Sequence, residues 1–360
     1  MVRWRSGTVS RVRREWRGAI ELEVTTADGP LKALAYPALT GTPVAGDRVL
    51  LNVGALIMGL GTGGYALVVA LPDRLPPDPP GGETRDAGHL VKARYTPLQP
   101  ILLGVDEEAS PHHDVLRSAD GVDGMPVVLA DLHSALPAIL AGILADRPGA
   151  RVAYVMTDGG ALPAWFSMTL SGLRDVLAGT ITAGQAFGGD LEASTVHTAL
   201  LAARHVLHAD VTIVTQGPGN LGTGTPWGFS GVALGEAVNA TVTLGGRPIG
   251  SLRISDGDAR PRHRGVSHHS LTAYGKVALV PADLPVPADL PAGLAKEVTD
   301  ALAPLATQHR IVEVPTHGLD AALAASPVKL STMGRGLAQD HAYFMTAAVA
   351  GRHAVALLDA

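Results

Sequence analysis

Residues 125–145 read MPVVLADLHSALPAILAGILA, and residues 151–160 read RVAYVMTDGG. The first segment opens on an apolar run, Met125 to Ala130, too short for a helix. A helical stretch, Ser134 to Ala145, follows at once. The second segment supplies another such run, Val152 to Met156, and Pro163 to Leu177 then reads as helical. The alternation continues outward. Thr180 to Ala183 is a short strand, Leu191 to His208 a helix and Val211 to Thr215 a strand. A glycine-rich loop follows, then a helix from Ser230 to Ala240. Pro248 to Ser255, Lys276 to Val280 and Arg310 to Val314 read as further strands, Leu319 to Ala325 and Phe344 to Ala350 as helices. Strands alternating with helices of this length make βαβ units, so residues 98–360 are expected to form a doubly wound α/β domain with a mostly parallel sheet.

The chain before this region has a different period. Gly7 to Val12, Ala19 to Thr25, Leu31 to Tyr36, Arg48 to Asn52 and Tyr65 to Ala70 are short β-rich runs. They are punctuated by Arg17-Gly18, Asp28-Gly29-Pro30 and Gly46-Asp47. Five or six strands in so short a segment suggest a small all-β barrel over residues 1–72. Pro72, Pro76, Pro77, Pro79 and Pro80 then favour extended backbone, and residues 73–97 read as a linker.

A chain of 360 residues suits two domains at roughly 150 residues each. An apolar fraction of 46% with 17% charged residues excludes long-range disorder. The absence of cysteine excludes disulfides, a thiolate nucleophile and a zinc–cysteine centre. A net charge of −5 argues against a surface wholly given to nucleic acid. Val49 to Leu71 is long enough to span a bilayer, but its glycines mark two strands and a turn. The Arg-rich N-terminus lacks the apolar core of a signal peptide. A soluble cytoplasmic protein without a membrane partner is expected. Self-association into a homo-oligomer is left open.

Ligands of open α/β sheets bind beyond the carboxyl ends of the strands. Here those ends carry Asp131-Leu132-His133-Ser134, then Thr157-Asp158-Gly159-Gly160, then Gln185 with Phe187 to Glu192, and finally the loop from Gln216 to Thr225. Asp158 before two glycines also suits a turn, Asp190 also suits the N-cap of the following helix, and Asp131 and His133 also suit capping roles. Gly217, Gly219, Gly222, Gly224, Gly228 and Gly231 leave the backbone open to a close ligand, and Asn220, Thr223, Thr225 and Ser230 add side-chain donors. A helix beginning near Ser230 would favour an anion. No Gly-Lys-Ser/Thr follows, so this is not a P-loop, and Pro218 spoils a dinucleotide-binding fingerprint. The alternative is a rigid structural loop capped by Trp227 and Phe229.

Arg260 to Ser270 forms a second cluster. Its arginines, Arg264 among them, suit a phosphate or carboxylate, and His268 or His269 suits a general base or metal ligand. Adjacent histidines diverge in a strand but can converge in a turn. Asp158, Asp190 and one of these histidines would make a hard site for a divalent metal, although no short His-x-x-x-His pair supports it. No Gly-x-Ser-x-Gly elbow occurs, and Phe229-Ser230-Gly231 is only a partial echo. In the barrel, Arg3, Arg5, Arg11, Arg13, Arg14 and Arg17 interleave with Trp4 and Trp16. This is either a nucleic-acid grip or a solvated face.

Ala35-Tyr36-Pro37-Ala38-Leu39, Leu60 to Tyr65, His89 to Tyr95, Ser110-Pro111-His112-His113, Thr157 to Pro163, the Gly217 loop and Gly265 to Ser270 together resemble a bacterial family of unknown function, domain-of-unknown-function family 3866. The resemblance covers essentially the whole chain. It implies one full-length bacterial protein and carries over no catalytic residue. The leading expectation is an enzyme, a hydrolase or group transferase, acting on a small anionic, phosphorylated or nucleotide-like ligand. Gly217, Gly219, Asn220, Gly222, Thr223, Gly224 and Arg264 would hold that ligand, with Asp131 and His133 beside it. Asp158, Asp190, His268 and His269 would supply acid–base or metal chemistry. The alternatives are a non-catalytic ligand sensor using the same loop and a nucleic-acid-associated protein using the Arg/Trp face.

Overall fold

Strand β1 (Trp4–Trp16) is long enough to serve two neighbours, and this closes the N-terminal sheet on itself. In the computed structural model, which describes residues 2–61, 63–78 and 88–359, β1 pairs with β2 (Ala19–Thr26) through Gly7 to Trp16, and with β4 (Arg48–Asn52) through Trp4 to Thr8. Gly7 lies where both pairings meet. A Cβ there would come 2.8 Å from Thr25 O. With β3 (Gly29–Ala35) and β5 (Ala66–Ala70), the five strands form a closed barrel in the order β1-β2-β3-β5-β4. Alternate residues, among them Val9, Leu22, Val24, Val49, Leu51 and Val68, fill its interior.

The basic stripe on β1 is matched by its neighbour. Arg11 and Arg14 sit opposite Glu23 and Glu21 in the register, with ion pairs of 2.8 and 2.6 Å; Arg13 reaches Glu21 at 3.3 Å, and Arg5 pairs with Asp28. Trp16 Nε1 donates to Trp165 O at 2.8 Å. Two short strands, β6 (Leu90–Val91) and β7 (Ile101–Leu102), pair antiparallel. Contacts divide the chain into one unit of Met1–Leu103 with Trp165–Ser171, and another of Gly104–Ala164 with Gly172–Ala360. Part of the expected linker, residues 79–87, lies outside the described residues.

The second unit is built on eight parallel strands: β8 (Pro126–Ala130), β9 (Val152–Thr157), β10 (Gly179–Ala183), β11 (Leu191–Ala193), β12 (Val211–Gln216), β13 (Arg247–Ser251), β16 (Asp283–Pro287) and β17 (Arg310–Val314). A small antiparallel ribbon, β14 (Ile254–Ser255) with β15 (Gly265–Val266), follows β13. The sheet order is β11-β10-β9-β12-β8-β13-β16-β17. The chain leaves β8 to one side, returns at β12, and then crosses β8 to build the other side. This reversal puts the switch point at the carboxyl ends of β12, β8 and β13.

Alternation decides the two faces. Val127 and Leu129 pack with the helices Val196–His205, Leu234–Thr243 and Ala292–Leu302. On the other face the helix His341–Ala356 lies against Leu136–Asp146. Gly142 and Gly351 allow this close approach, since a Cβ on either would come within 2.0 Å of a carbonyl oxygen of the facing helix. Among the described residues no helix is long and apolar enough to cross a membrane.

Three local expectations are corrected. Leu191 to Ala193 is the edge strand β11 rather than the start of a helix, and the helix behind it is capped by Thr195, whose side chain accepts from Thr198 N. Asp190 is therefore not its N-cap. Lys276 to Val280 is not a strand, because Ala273–Val277 winds into a wide π turn. The strand in that region is β16, hidden in the sequence by Pro285 and Pro287. Prolines lack an N–H, and β16 accordingly pairs along its length with β17 but at one residue with β13.

Candidate functional site

Asp131 directly follows the central strand β8 and is almost wholly buried. Its carboxylate Oδ2 accepts from His269 Nδ1 at 3.2 Å. The main-chain oxygen of Asp131 accepts from Gln216 Nε2 at 2.7 Å, so the ends of β8 and β12 are tied together. Gln216 Nε2 also donates to Asn220 Oδ1 at 2.9 Å, while Gln216 Oε1 is buried without a hydrogen-bond partner among the described residues. A cavity of about 20 Å³ lies beside these groups, lined by Asp131, Thr157, Gln216, Ser230 and Gly231 among others. That volume holds about one water molecule.

The histidines come from the excursion after β13. The β14–β15 ribbon brackets a turn, Pro261–His263, and leads into the short helix His268–Thr272. Ser267 caps that helix: its Oγ accepts from His269 N at 3.2 Å and lies 2.8 Å from His263 Nδ1. The three imidazoles of His263, His268 and His269 thus converge, with ring centroids 4.5–5.0 Å apart. One nitrogen from each lies within 4.8 Å of the others. Phe229 stacks on His269 at 3.8 Å and 2°. His268 Nε2 is buried and has no hydrogen-bond partner among the described residues.

Burial, with the charges of Arg253 and Arg260 and the neighbouring His269, pushes His263 down to about 3. Burial and His269 also lower His268. Both rings are therefore neutral at pH 7, the state in which an imidazole accepts a proton or binds a metal. A buried ionic network anchors the excursion that carries them. Asp258 binds Arg260 at 2.7 Å, Arg335 at 3.1 Å and the buried Arg253 at 3.2 Å, and Arg335 reaches Asp340 at 2.9 Å. Chiefly through Arg260, and against the effect of burial, these partners hold Asp258 well below the usual carboxylate range.

The sequence-derived candidates fall into separate groups. Asp131, His268 and His269 are brought together. His133 is buried close by in sequence, but its Nδ1 pairs with Tyr154 Oη at 2.8 Å, and burial pushes it down to about 4. Asp158 is exposed and accepts from Gln185 N at 2.8 Å. Asp190 is exposed and accepts from Thr180 N and Oγ1 at 2.8 and 2.7 Å. Neither belongs to the histidine cluster among the described residues. Arg264 is exposed.

The glycine loop is a flap held by its own bonds. Asn220 Oδ1 accepts from Ser230 Oγ at 2.8 Å and Gly231 N at 3.3 Å, Thr223 N donates to Gly228 O at 2.7 Å, and Gly217 N donates to Thr157 O at 3.2 Å. Gly219 and Gly224 adopt positive φ, 87° and 81°, and residues 221–227 are exposed. Ser230 Oγ is held by Asn220 and by Leu221 N and has no histidine partner among the described residues, so it is not placed as a triad nucleophile.

Sequence reasoning placed His263 within the Arg260–Ser270 cluster without giving it a role, and passed over Arg253 and Asp258. It looked for His-x-x-x-His on one helix, whereas His263-x4-His268-His269 meets across a turn and a helix start. The pattern is visible in the chain once Ser267 is read as an N-cap.

A family model described as "Protein of unknown function (DUF3866)" matches residues 32–351, and the chain belongs to that family. Neither a curated protein nor a solved structure matches it.

Proposed function

We propose that this member of the DUF3866 family is an enzyme, a hydrolase or group transferase acting on a small anionic ligand. Its reaction centre is Asp131 with His268 and His269. The observation that carries this reading is the Asp131–His269 pair, a buried carboxylate bonded to an imidazole at the switch point of a parallel sheet. Accepting at Nδ1–H fixes the tautomer and leaves the far nitrogen of His269 as the electron-pair donor. The exposed Arg262 and Arg264 flank the cluster with positive charge suited to an anion. The glycine loop, joined to the cluster through Phe229 stacked on His269, would hold the ligand with Gly219, Gly222 and Gly224. Cytoplasmic residence in a bacterium fits this reading.

The test is turnover of a panel of phosphate esters, nucleotides and carboxylate esters by the full chain. Asp131→Asn and His269→Gln are each expected to lower the rate by about 10²–10⁴ while leaving the fold cooperative. Turnover unchanged in both variants sinks the assignment. Saturable ligand binding with no turnover favours a sensor instead.

A further inference from the structure

We infer that His263, His268 and His269 together hold one divalent transition-metal ion of the zinc class. As a cofactor this ion rests on the reaction centre proposed above, but its site stands on its own geometry. One nitrogen from each ring already lies within 4.8 Å of the other two. Zinc–nitrogen bonds of about 2.0–2.1 Å in a tetrahedron set nitrogens roughly 3.3 Å apart. The rings thus need to draw in by about 1.5 Å at most, and His268, at a helix start, is only half-buried.

The remaining features are those of a ligand set rather than of three packed rings. His268 Nε2 is buried with nothing to bond to among the described residues, a state that costs free energy unless a ligand takes it up. His269 is oriented through Nδ1 by Asp131, and His263 through Nδ1 by Ser267. Metal-binding histidines are commonly oriented in this way, through the nitrogen that faces away from the ion. A set of three imidazoles without thiolate suits zinc, cobalt or nickel rather than magnesium or calcium. Three protein donors leave one position open, as in catalytic rather than structural sites. There the ion would supply Lewis acidity toward the anionic ligand. Of the cations that act on these rings, Arg253 and Arg260 are paired with Asp258 and Arg262 is exposed to solvent, while Asp131 adds negative charge next to His269.

The experiment strips the full chain with a chelator and titrates it with Zn²⁺ by calorimetry and with Co²⁺ by visible absorption. One ion per chain is expected, with the intense cobalt bands of a four-coordinate site. His268→Ala and His263→Gln are expected to weaken binding by on the order of a hundredfold, and Asp131→Asn by about tenfold. His197→Ala, exposed on another helix, should change nothing. Because His263 is buried, His268→Ala is the variant whose apo melting must match that of the unaltered chain. No saturable binding below millimolar metal, or unaltered binding in His268→Ala and His263→Gln, overturns the site. Turnover by the metal-free chain would exclude the ion as a cofactor and keep the reaction centre. Stoichiometric binding with no turnover would keep the ion and remove the enzyme reading.

Discussion

Asp131 and Asp190 both belong to loops of one sheet, but Asp131 follows β8 at the carboxyl edge, whereas Asp190 precedes β11, level with Thr180 near the amino end of β10. Asp190, beside β10 and β11, is open to solvent and bonded to a main-chain N–H and the hydroxyl of Thr180. Asp158, after β9, is likewise exposed and bonded to Gln185 N. Asp131, after β8, is buried against an imidazole. A carboxylate satisfied by backbone donors fixes a turn and has little left to offer a substrate. One that faces a titratable ring beneath other neutral rings sets a tautomer. The switch point explains why β8 received the second kind: there the neighbouring strands diverge in connection, and a long excursion can fold back over the sheet.

The largest effect expected from breaking this comparison lies below the histidines. Asp258→Asn removes the counter-charge of the buried Arg253 and should cost about 3–5 kcal/mol, read as a drop in the urea midpoint. A loss below about 1 kcal/mol would mean that the network does not hold the excursion.

Next is the acid limb. The folded value for His133 is about 4 against an ordinary 6.5, so the unfolded chain takes up its proton first as pH falls. Stability is complete above about pH 6.5 and declines toward pH 4, by roughly 3 kcal/mol from this residue. His133→Gln should flatten that limb in denaturant titrations at successive pH values. An unchanged slope would show that burial does not control this ring.

Asp190→Ala should cost about 1 kcal/mol and leave turnover and ligand binding intact, since its bonds serve the β10 backbone. A loss of activity at native stability would erase the distinction drawn here. The smallest effect belongs to the barrel. Arg11→Ala breaks an exposed pair with Glu23 and should shift stability by under about 1 kcal/mol.

The sheet was legible because β8, β9, β10 and β12 are short apolar runs followed by polar ends. The barrel was legible from its turn residues. β16 was not, because Pro285 and Pro287 contradict a strand unless one side needs few hydrogen bonds. The site was legible by halves. Asp131, His268 and His269 stood out as polar residues at strand ends and in a basic cluster. Their meeting could not be read, because it depends on β12 returning between β9 and β8 and on the ribbon after β13. Asp158 and Asp190 drew equal notice, since a sequence shows a carboxylate but not whether a backbone amide already occupies it.

The most direct test of the central claim is thermal melting of the unaltered chain, Asp131→Asn and Asp190→Asn against small anions, nucleotides and sugar phosphates. A ligand at about 100 times its dissociation constant adds roughly 2.7 kcal/mol, a rise of several degrees in Tm. That rise is expected in the unaltered chain and in Asp190→Asn, and its loss in Asp131→Asn. A rise retained in Asp131→Asn and lost in Asp190→Asn would contradict it.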